Sequence, residues 1–224
     1  GSNAGYQLSG TDGNAADSII LIGYTAGRLF TSGSGNVVVG DSAFYSAGAR
    51  IRNTVMGSSA MYDATTASNN ISIGWSNLAN ITTGNDNTAL GYQAGHTLTT
   101  TSKTVLLGFQ AGYGINNTSA DGTVAIGYQA GGAISSGGTN TLIGYKSGLA
   151  LTTGGNNIAI GYDSFKSAVD SCNSNISIGV QSMRYVDRGS NGSATVNGNV
   201  AIGYNSLAGG DFVSADKDLV GNIA

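Results

Sequence analysis

Apolar residues recur along the chain in a fixed relation to single glycine residues. A glycine preceded by an apolar residue, and usually followed by an aromatic one, returns every 17 to 19 residues, with one interval of 24. We call these the anchor glycines: Gly5, Gly23, Gly40, Gly57, Gly74, Gly91, Gly108, Gly127, Gly144, Gly161, Gly179, Gly203 and Gly221. This periodicity predicts a single repeat domain over residues 1–224 with about 13 coils.

Each anchor glycine follows a short stretch with the period of a β-strand. The residue directly before the anchor, and the one two places earlier, are apolar or β-branched in coil after coil, as in Ile20-Leu21-Ile22. The residue between them is small or apolar, although the open face of an ordinary half-buried strand is polar. We expect the flanking side chains to face the coil's own core and the central one to meet a second copy of the chain.

The length of the repeat indicates the architecture. A period of 17–18 residues is too short for helical repeats or propeller blades. It fits a winding of an all-β parallel β-solenoid, or β-roll, with two short strands and two turns. Longer loops are predicted near residues 112–122 and 183–198, where the spacing increases. Because a thin coil has little core, we expect a homo-oligomer.

Asparagine occupies one position of the repeat, four residues before the anchor. It does so in eight coils, at Asn36, Asn53, Asn70, Asn87, Asn140, Asn157, Asn175 and Asn199. Stacked in register, these side chains can form an amide ladder of the kind found in cross-β structures. The anchor glycines themselves suit a tight corner with a positive φ.

Composition excludes several classes of protein. The chain has 37 Gly and no Pro, is 40% hydrophobic and 9% charged, and carries a net charge of −3. Collagen needs proline, and disorder needs high charge with low hydrophobicity. Nucleic-acid binding needs a basic excess, so no such partner is expected. No run of 18 apolar residues occurs, so no membrane insertion is predicted.

Few residues suggest chemistry. The chain has one cysteine, Cys172, and one histidine, His96, which predicts neither a disulfide framework nor a zinc site. Glycine pairs such as Gly131-Gly132 lack the lysine of a phosphate-binding loop. The carboxylates do not recur at one repeat position, as a polysaccharide-degrading β-helix would require. We therefore expect a protein that is not an enzyme, with no catalytic residue, no cofactor and no metal.

Two features are candidates for contact with a glycan or a receptor. The aromatic residue after the anchor forms a stripe that includes Trp75 and Tyr128, and aromatic rings either pack between coils or stack on sugars. We favour packing. The longest interval between anchors contains Arg184, Tyr185 and Arg188. It is either a tolerated surface excursion, which we favour, or a binding loop.

Several coils resemble a known repeat. The segments NTALGYQAG at 87–95, TVAIGYQA at 123–130 and NIAIGY at 157–162 resemble repeats of bacteriophage tail-fibre proteins. They are more distantly similar to the heads of trimeric autotransporter adhesins. The resemblance implies a homotrimeric β-roll, intertwined or side by side, located in the virion or on a cell surface. It also implies a structural fibre segment that supports host attachment, with host glycans or receptors as candidate contacts. The alternative is a bacterial adhesin head or a self-assembling extracellular filament that binds surface glycans.

Overall fold

The structure is a computed structural model that describes residues 1–6, 18–46, 48–168, 172–186, 196–208 and 219–220. These ranges contain short β-strands and turns, with a 3-10 turn at Thr118–Ala120. The strands are β1 (Ile20–Ile22), β2 (Phe30–Ser32), β3 (Val37–Val39), β4 (Gly48–Ala49), β5 (Thr54–Met56), β6 (Ile71–Ile73), β7 (Thr88–Leu90), β8 (Val105–Leu107), β9 (Val124–Ile126), β10 (Thr141–Ile143), β11 (Ile158–Ile160), β12 (Ile176–Ile178), β13 (Val196–Asn197), β14 (Val200–Ile202) and β15 (Leu219–Val220). None of the described residues forms a helix long and apolar enough to cross a bilayer.

Eleven of these strands form one parallel sheet, with one strand from each successive coil. The pairs are in register along the sheet, so that Ile20 lies opposite Val37 and Ile71 opposite Thr88. The parallel β-solenoid with about 17 residues per coil is therefore confirmed. Of the predicted loops, the 3-10 turn lies within the first, and residues 187–195 of the second lie outside the described residues.

The opposite side of the coil is more irregular than predicted. A second pair of strands forms between β2 and β4, and another between β13 and β15. In the other described coils this side consists of turns linked by backbone hydrogen bonds, as where the Thr82 N–H donates to the Thr99 carbonyl at 2.8 Å. The prediction of two strands in every coil is therefore wrong, although the coils remain hydrogen-bonded to one another on both sides.

The two faces of the sheet are the reverse of those predicted. The central strand residue faces the coil's own interior and is fully buried, as at Val38, Ser72 and Leu142. The residues on either side of it face outward, and exposed ones such as Ile22 and Ile202 show more than half of their surface to solvent. The physical reason is the width of the coil. The interior of a single winding has room for only one side chain from each strand. The central residue, which is often Ala, Ser or Val, fits there better than two flanking side chains would.

Two positions of the repeat fill the core: the central strand residue and the fourth residue after the anchor. A large side chain at one is accompanied by a smaller residue at the other in most coils. Where the central strand residue is leucine, as at Leu106, the fourth residue after the anchor is glycine, and a Cβ on Gly112 would lie 2.6 Å from the Leu106 Cδ2 atom. In two coils with a small central residue, Ala89 and Ala125, that position is also glycine, and leucine side chains of neighbouring coils reach into the space. In three others it carries a large buried side chain. These pairs are Ser72 with Leu78, Ala159 with Phe165 and Ser177 with Met183. Side chains from the two positions together fill the interior of these coils.

The asparagine ladder is confirmed. All eight predicted asparagines are fully buried. The Oδ1 atom of Asn53 accepts from both the backbone N–H and the Nδ2 atom of Asn70, at 3.0 and 3.2 Å, and Asn70 accepts in the same way from Asn87. Thr104 ends the first run, because its hydroxyl donates to the Asn87 Oδ1 atom at 2.8 Å. The ladder thus satisfies buried backbone N–H groups in the corners before β5 to β8, β11, β12 and β14.

Removal of one ladder amide should cost much stability. We expect Asn70→Ala to lower the free energy of unfolding by about 3 kcal/mol, because it leaves donors on Asn87 without their buried acceptor. Denaturant unfolding measures the change. Asn116→Ala is the control, since Asn116 is exposed, and we expect it to stay within about 0.5 kcal/mol of the wild type. Equal losses in the two variants would contradict a structural role for the ladder.

Candidate functional site

The outward residues of the eleven-stranded sheet form an apolar surface, which we call the strand face. It carries two residues from each strand, and only Thr54, Thr88 and Thr141 among them are not aliphatic or methionine. None of its side chains is buried, and the exposed ones show 37% to 59% of their surface. These are Ile20, Ile22, Met56, Ile71, Leu90, Ile158 and Ile202. No charged residue interrupts the strand face.

The strand face has the area of a major apolar patch. Eleven strands at their usual separation give a length of about 50 Å, and three residues give a width of about 10 Å, which makes roughly 500 Å². The largest apolar patch on a typical monomer is about 300–600 Å² and is often functional. A row of aromatic residues lies beside it, at the residue that follows the anchor glycine in eight of the eleven coils. This combination is typical of a surface that another protein covers.

Six residues of that row form an aromatic ladder, each directly after an anchor glycine. It contains Trp75, Tyr92, Phe109, Tyr128, Tyr145 and Tyr162. Neighbouring ring centroids are 4.9 to 5.1 Å apart and the ring planes differ by 4° to 15°. Lys146 adds its ammonium group 5.2 Å from the Tyr145 ring centroid. The ladder includes both Trp75 and Tyr128, which the sequence suggested as glycan contacts.

Stacking determines which surfaces of the aromatic rings a ligand can contact. Each inner ring is covered on both faces by its neighbours, as Tyr128 is by Phe109 and Tyr145. A sugar stacks on the face of an aromatic ring, so an inner ring presents only its edge, together with the hydroxyl group where the residue is tyrosine. Trp75 ends the ladder because the preceding coil has Ser58 at this position. The geometry therefore favours packing over sugar stacking for Tyr128.

The packing role has a measurable consequence. We expect Tyr128→Leu to lower the free energy of unfolding by about 1–3 kcal/mol, because two stacked pairs are lost. Thermal unfolding measures it. The matched control is Tyr204→Leu, because Tyr204 follows an anchor glycine in the same way but is 74% exposed. A loss at Tyr204 as large as that at Tyr128 would show that the ladder does not stabilise the rod.

Arg184 and Tyr185 lie at a separate place, beside a buried carboxylate. Asp163 is 1% exposed, and its Oδ2 atom accepts from Lys166 at 3.0 Å and from Arg184 at 3.1 Å. The Arg184 guanidinium also lies 4.8 Å from the Tyr185 ring centroid, and half of Tyr185 is exposed. Arg184 is thus held by an ion pair rather than free to meet a ligand. Arg188, the fifth candidate, lies outside the described residues.

A second buried charge lies in the core. Arg50 is fully buried, and its guanidinium lies 4.1 Å from the Phe44 ring centroid and 5.3 Å from that of Phe30. Its Nη1 atom donates to the Phe44 carbonyl at 3.1 Å. Burial lowers the pKa of Arg50 to about 9. Two ring faces and one carbonyl therefore hold this cation, which makes it part of the packing.

The remaining candidate groups do not converge on a reactive site. Cys172 is fully buried. His96 stacks on the Tyr113 ring at 5.3 Å, and partial burial lowers its pKa. Within the described ranges, no three residues among His, Cys, Asp and Glu are grouped so that they could hold a metal ion.

Sequence reasoning missed a second column of side chains, at the fifth residue after each anchor. We call it the corner column: Arg28, Tyr45, Tyr62, Ala79, His96, Tyr113, Gly132, Leu149, Lys166 and Arg184. Tyr45 stacks on Tyr62 at 4.9 Å, as His96 does on Tyr113. A pocket of about 490 Å³ interrupts the column at Gly132. The constant offset from the anchor was the signal in the sequence that could have found it.

Comparison with known proteins adds no relative. The chain matches no protein-family model, no curated protein and no solved structure. What this chain does must therefore be argued from its own residues.

Proposed function

We propose that this chain is a structural fibre segment that assembles as a parallel homotrimer through the strand face. The single observation that supports this most is the strand face itself. It is an uncharged aliphatic surface on one side of a rod, and nothing within the described chain covers it. Three copies packed around a common axis would bury it along its whole length.

Burial of the strand face supplies a free energy on the scale that assembly requires. Roughly 500 Å² of apolar surface removed from water gives at most about 12 kcal/mol for each chain. Association costs about 4–15 kcal/mol in lost translational and rotational freedom. Burial on this scale supports assembly through the strand face. A dimer would also cover the strand face, so the number three rests on the resemblance of the repeats to those of tail fibres and adhesin heads.

The rod shape supports a role for this chain as a spacer. The solenoid is a rod in which each coil contacts mainly its neighbours, so its length is set by the number of repeats. Backbone hydrogen bonds, the asparagine ladder and the aromatic ladder all run along the same axis. Such a rod holds a terminal module at a distance. We therefore propose a phage tail fibre or a similar virion appendage that supports host attachment.

The native mass in solution tests this proposal. Light scattering after size exclusion should give about 67 kDa, three times the chain mass of 22.3 kDa. The mass should not change on dilution through the micromolar range, because the interface is aliphatic and continuous. A monomer at 22.3 kDa would overturn the proposal. Open polymers of many sizes would also overturn the closed trimer and support an extracellular filament.

A further inference from the structure

The pocket at Gly132 lies where the corner column lacks a side chain. The Gly114 N–H donates to the Gly132 carbonyl at 3.0 Å, and the Ala133 N–H donates to the Leu149 carbonyl at 3.1 Å. These bonds place Tyr113, Gly132 and Leu149 at successive levels of the rod. Tyr113 and Leu149 are thus two strand spacings apart, or about 9.6 Å. Since Gly132 has no side chain, the level between them carries no side chain of its own.

The gap has the height of one ring. A ring midway would lie about 4.8 Å from each neighbour, close to the separation of the rings stacked elsewhere on the rod. One face of Tyr113 is covered by His96, at 5.3 Å, and the other face turns to the gap. Leu149 closes the far side, where its Cδ1 atom leans to within 3.2 Å of a Cβ built on Gly132. We call this space the ring slot.

The wall of the ring slot carries two amides. Gln110 and Gln129 line it, and the Gln129 Nε2 atom donates to the Gln110 Oε1 atom at 3.0 Å. Gln110 donates in turn to the Gln93 Oε1 atom at 3.0 Å. The run stops at Gln129, because the next coil has Lys146 there and its ammonium group lies over the Tyr145 ring. Among the described residues no donor bonds to the Gln129 Oε1 atom, which leaves an acceptor beside the gap.

We propose that the ring slot binds one pyranose ring of a glycan. A pyranose has an apolar C–H face that packs on an aromatic face, and Tyr113 offers one. It also has hydroxyl groups at its rim, which need both donors and acceptors. The Gln129 Oε1 atom supplies an acceptor, and the second hydrogens on the Nε2 atoms supply donors. A phenol ring would fit the height, but its single hydroxyl group would leave most of this polar wall unused.

The site is independent of the proposed assembly. Its lining residues, which include Tyr113, Gln129 and Leu149, belong neither to the strand face nor to the aromatic ladder. One chain contains the complete slot. The binding test below therefore stands whether the native mass is that of a monomer or of a trimer.

The test uses the full chain and four simple probes. Methyl β-glucopyranoside, methyl β-galactopyranoside, methyl α-mannopyranoside and N-acetylglucosamine are titrated while side-chain amide signals are followed by NMR, with phenol as a fifth ligand. We expect at least one pyranoside to bind with a Kd of about 1 mM, the scale of a single ring. The signals of Gln110 and Gln129 should shift.

Three variants locate the binding. Gly132→Tyr fills the slot with a protein ring, and its backbone permits a side chain because Gly132 is not in the left-handed region. Tyr113→Leu removes the aromatic face. We expect each to weaken binding at least about tenfold. Tyr62→Leu, in the same column but away from the slot, should leave it unchanged.

Each outcome of these experiments either supports or overturns the proposal. Loss of pyranoside binding in Gly132→Tyr and Tyr113→Leu, with binding retained in Tyr62→Leu, supports the proposal. Binding that survives Gly132→Tyr overturns it, because the site is then elsewhere. Failure of all four pyranosides to bind also overturns it, as does phenol binding more tightly in the slot than any sugar.

Discussion

The double substitution Met56→Lys and Leu90→Lys is expected to convert the assembly into monomers. Both side chains lie on the strand face, at the last strand residue of coils two levels apart, and are 42% and 37% exposed in the single chain. Lysine at these places can reach water in a monomer. In the assembly it would bury unpaired ammonium groups among aliphatic side chains, which is strongly unfavourable. The native mass should fall from about 67 kDa to 22.3 kDa.

A matched pair of substitutions controls for the added charge. Thr66 and Thr100 are exposed, lie two coils apart and belong to the turns opposite the strand face. Thr66→Lys with Thr100→Lys adds the same two charges and should leave the mass unchanged. Circular dichroism should show that both double variants keep their β-structure. If the Met56 and Leu90 variant remained assembled, the strand face could not be the interface.

The second large effect is expected at an anchor glycine. Gly91 has a φ of +133°, and a Cβ at this residue would overlap with the carbonyl oxygen of Gly108 in the next coil. We expect Gly91→Ala to lower the free energy of unfolding by more than about 4 kcal/mol, because backbone strain and a clash between two backbones act together. Denaturant unfolding of the purified variant, or its failure to fold on expression, measures this.

Gly132→Ala is the matched control for that experiment. Gly132 is outside the left-handed region, and the nearest atom to an added Cβ is the flexible end of Leu149, at 3.2 Å. We expect a change of less than about 1 kcal/mol, since the alanine also restricts the unfolded chain. A mild Gly91→Ala variant would show that the anchor corner is not what limits the stacking of coils.

The course of the chain could be predicted because one residue type recurs at each structural position. The strand limits follow from the anchor glycines, and the asparagine ladder follows from a polar residue at a constant place in an apolar repeat. Which side of the strand faces inward could not be read in the same way. Alternation in Ile20-Leu21-Ile22 distinguishes two faces but does not say which one the narrow coil can contain.

The candidate contacts show a similar limit. The row containing Trp75 and Tyr128 was visible in the sequence, but ring orientation decides whether its faces are open, and orientation depends on stacking between coils. The ion pair of Arg184 could not be predicted because its partner, Asp163, comes from the preceding coil at a different repeat position. The ring slot was not predicted because Gly132 resembles any other turn glycine until Tyr113 and Leu149 are seen on either side of it.

Covalent cross-linking of single cysteines tests most directly whether copies of the chain meet at the strand face. Ile71→Cys places a thiol on the strand face. Thr83→Cys places one in the exposed turn between β6 and β7, on the opposite side of the coil. The native Cys172 is fully buried. With a short bismaleimide at low protein concentration, Ile71→Cys should give covalent dimers and Thr83→Cys should remain single chains. Cross-linking of Thr83→Cys without cross-linking of Ile71→Cys would contradict the account.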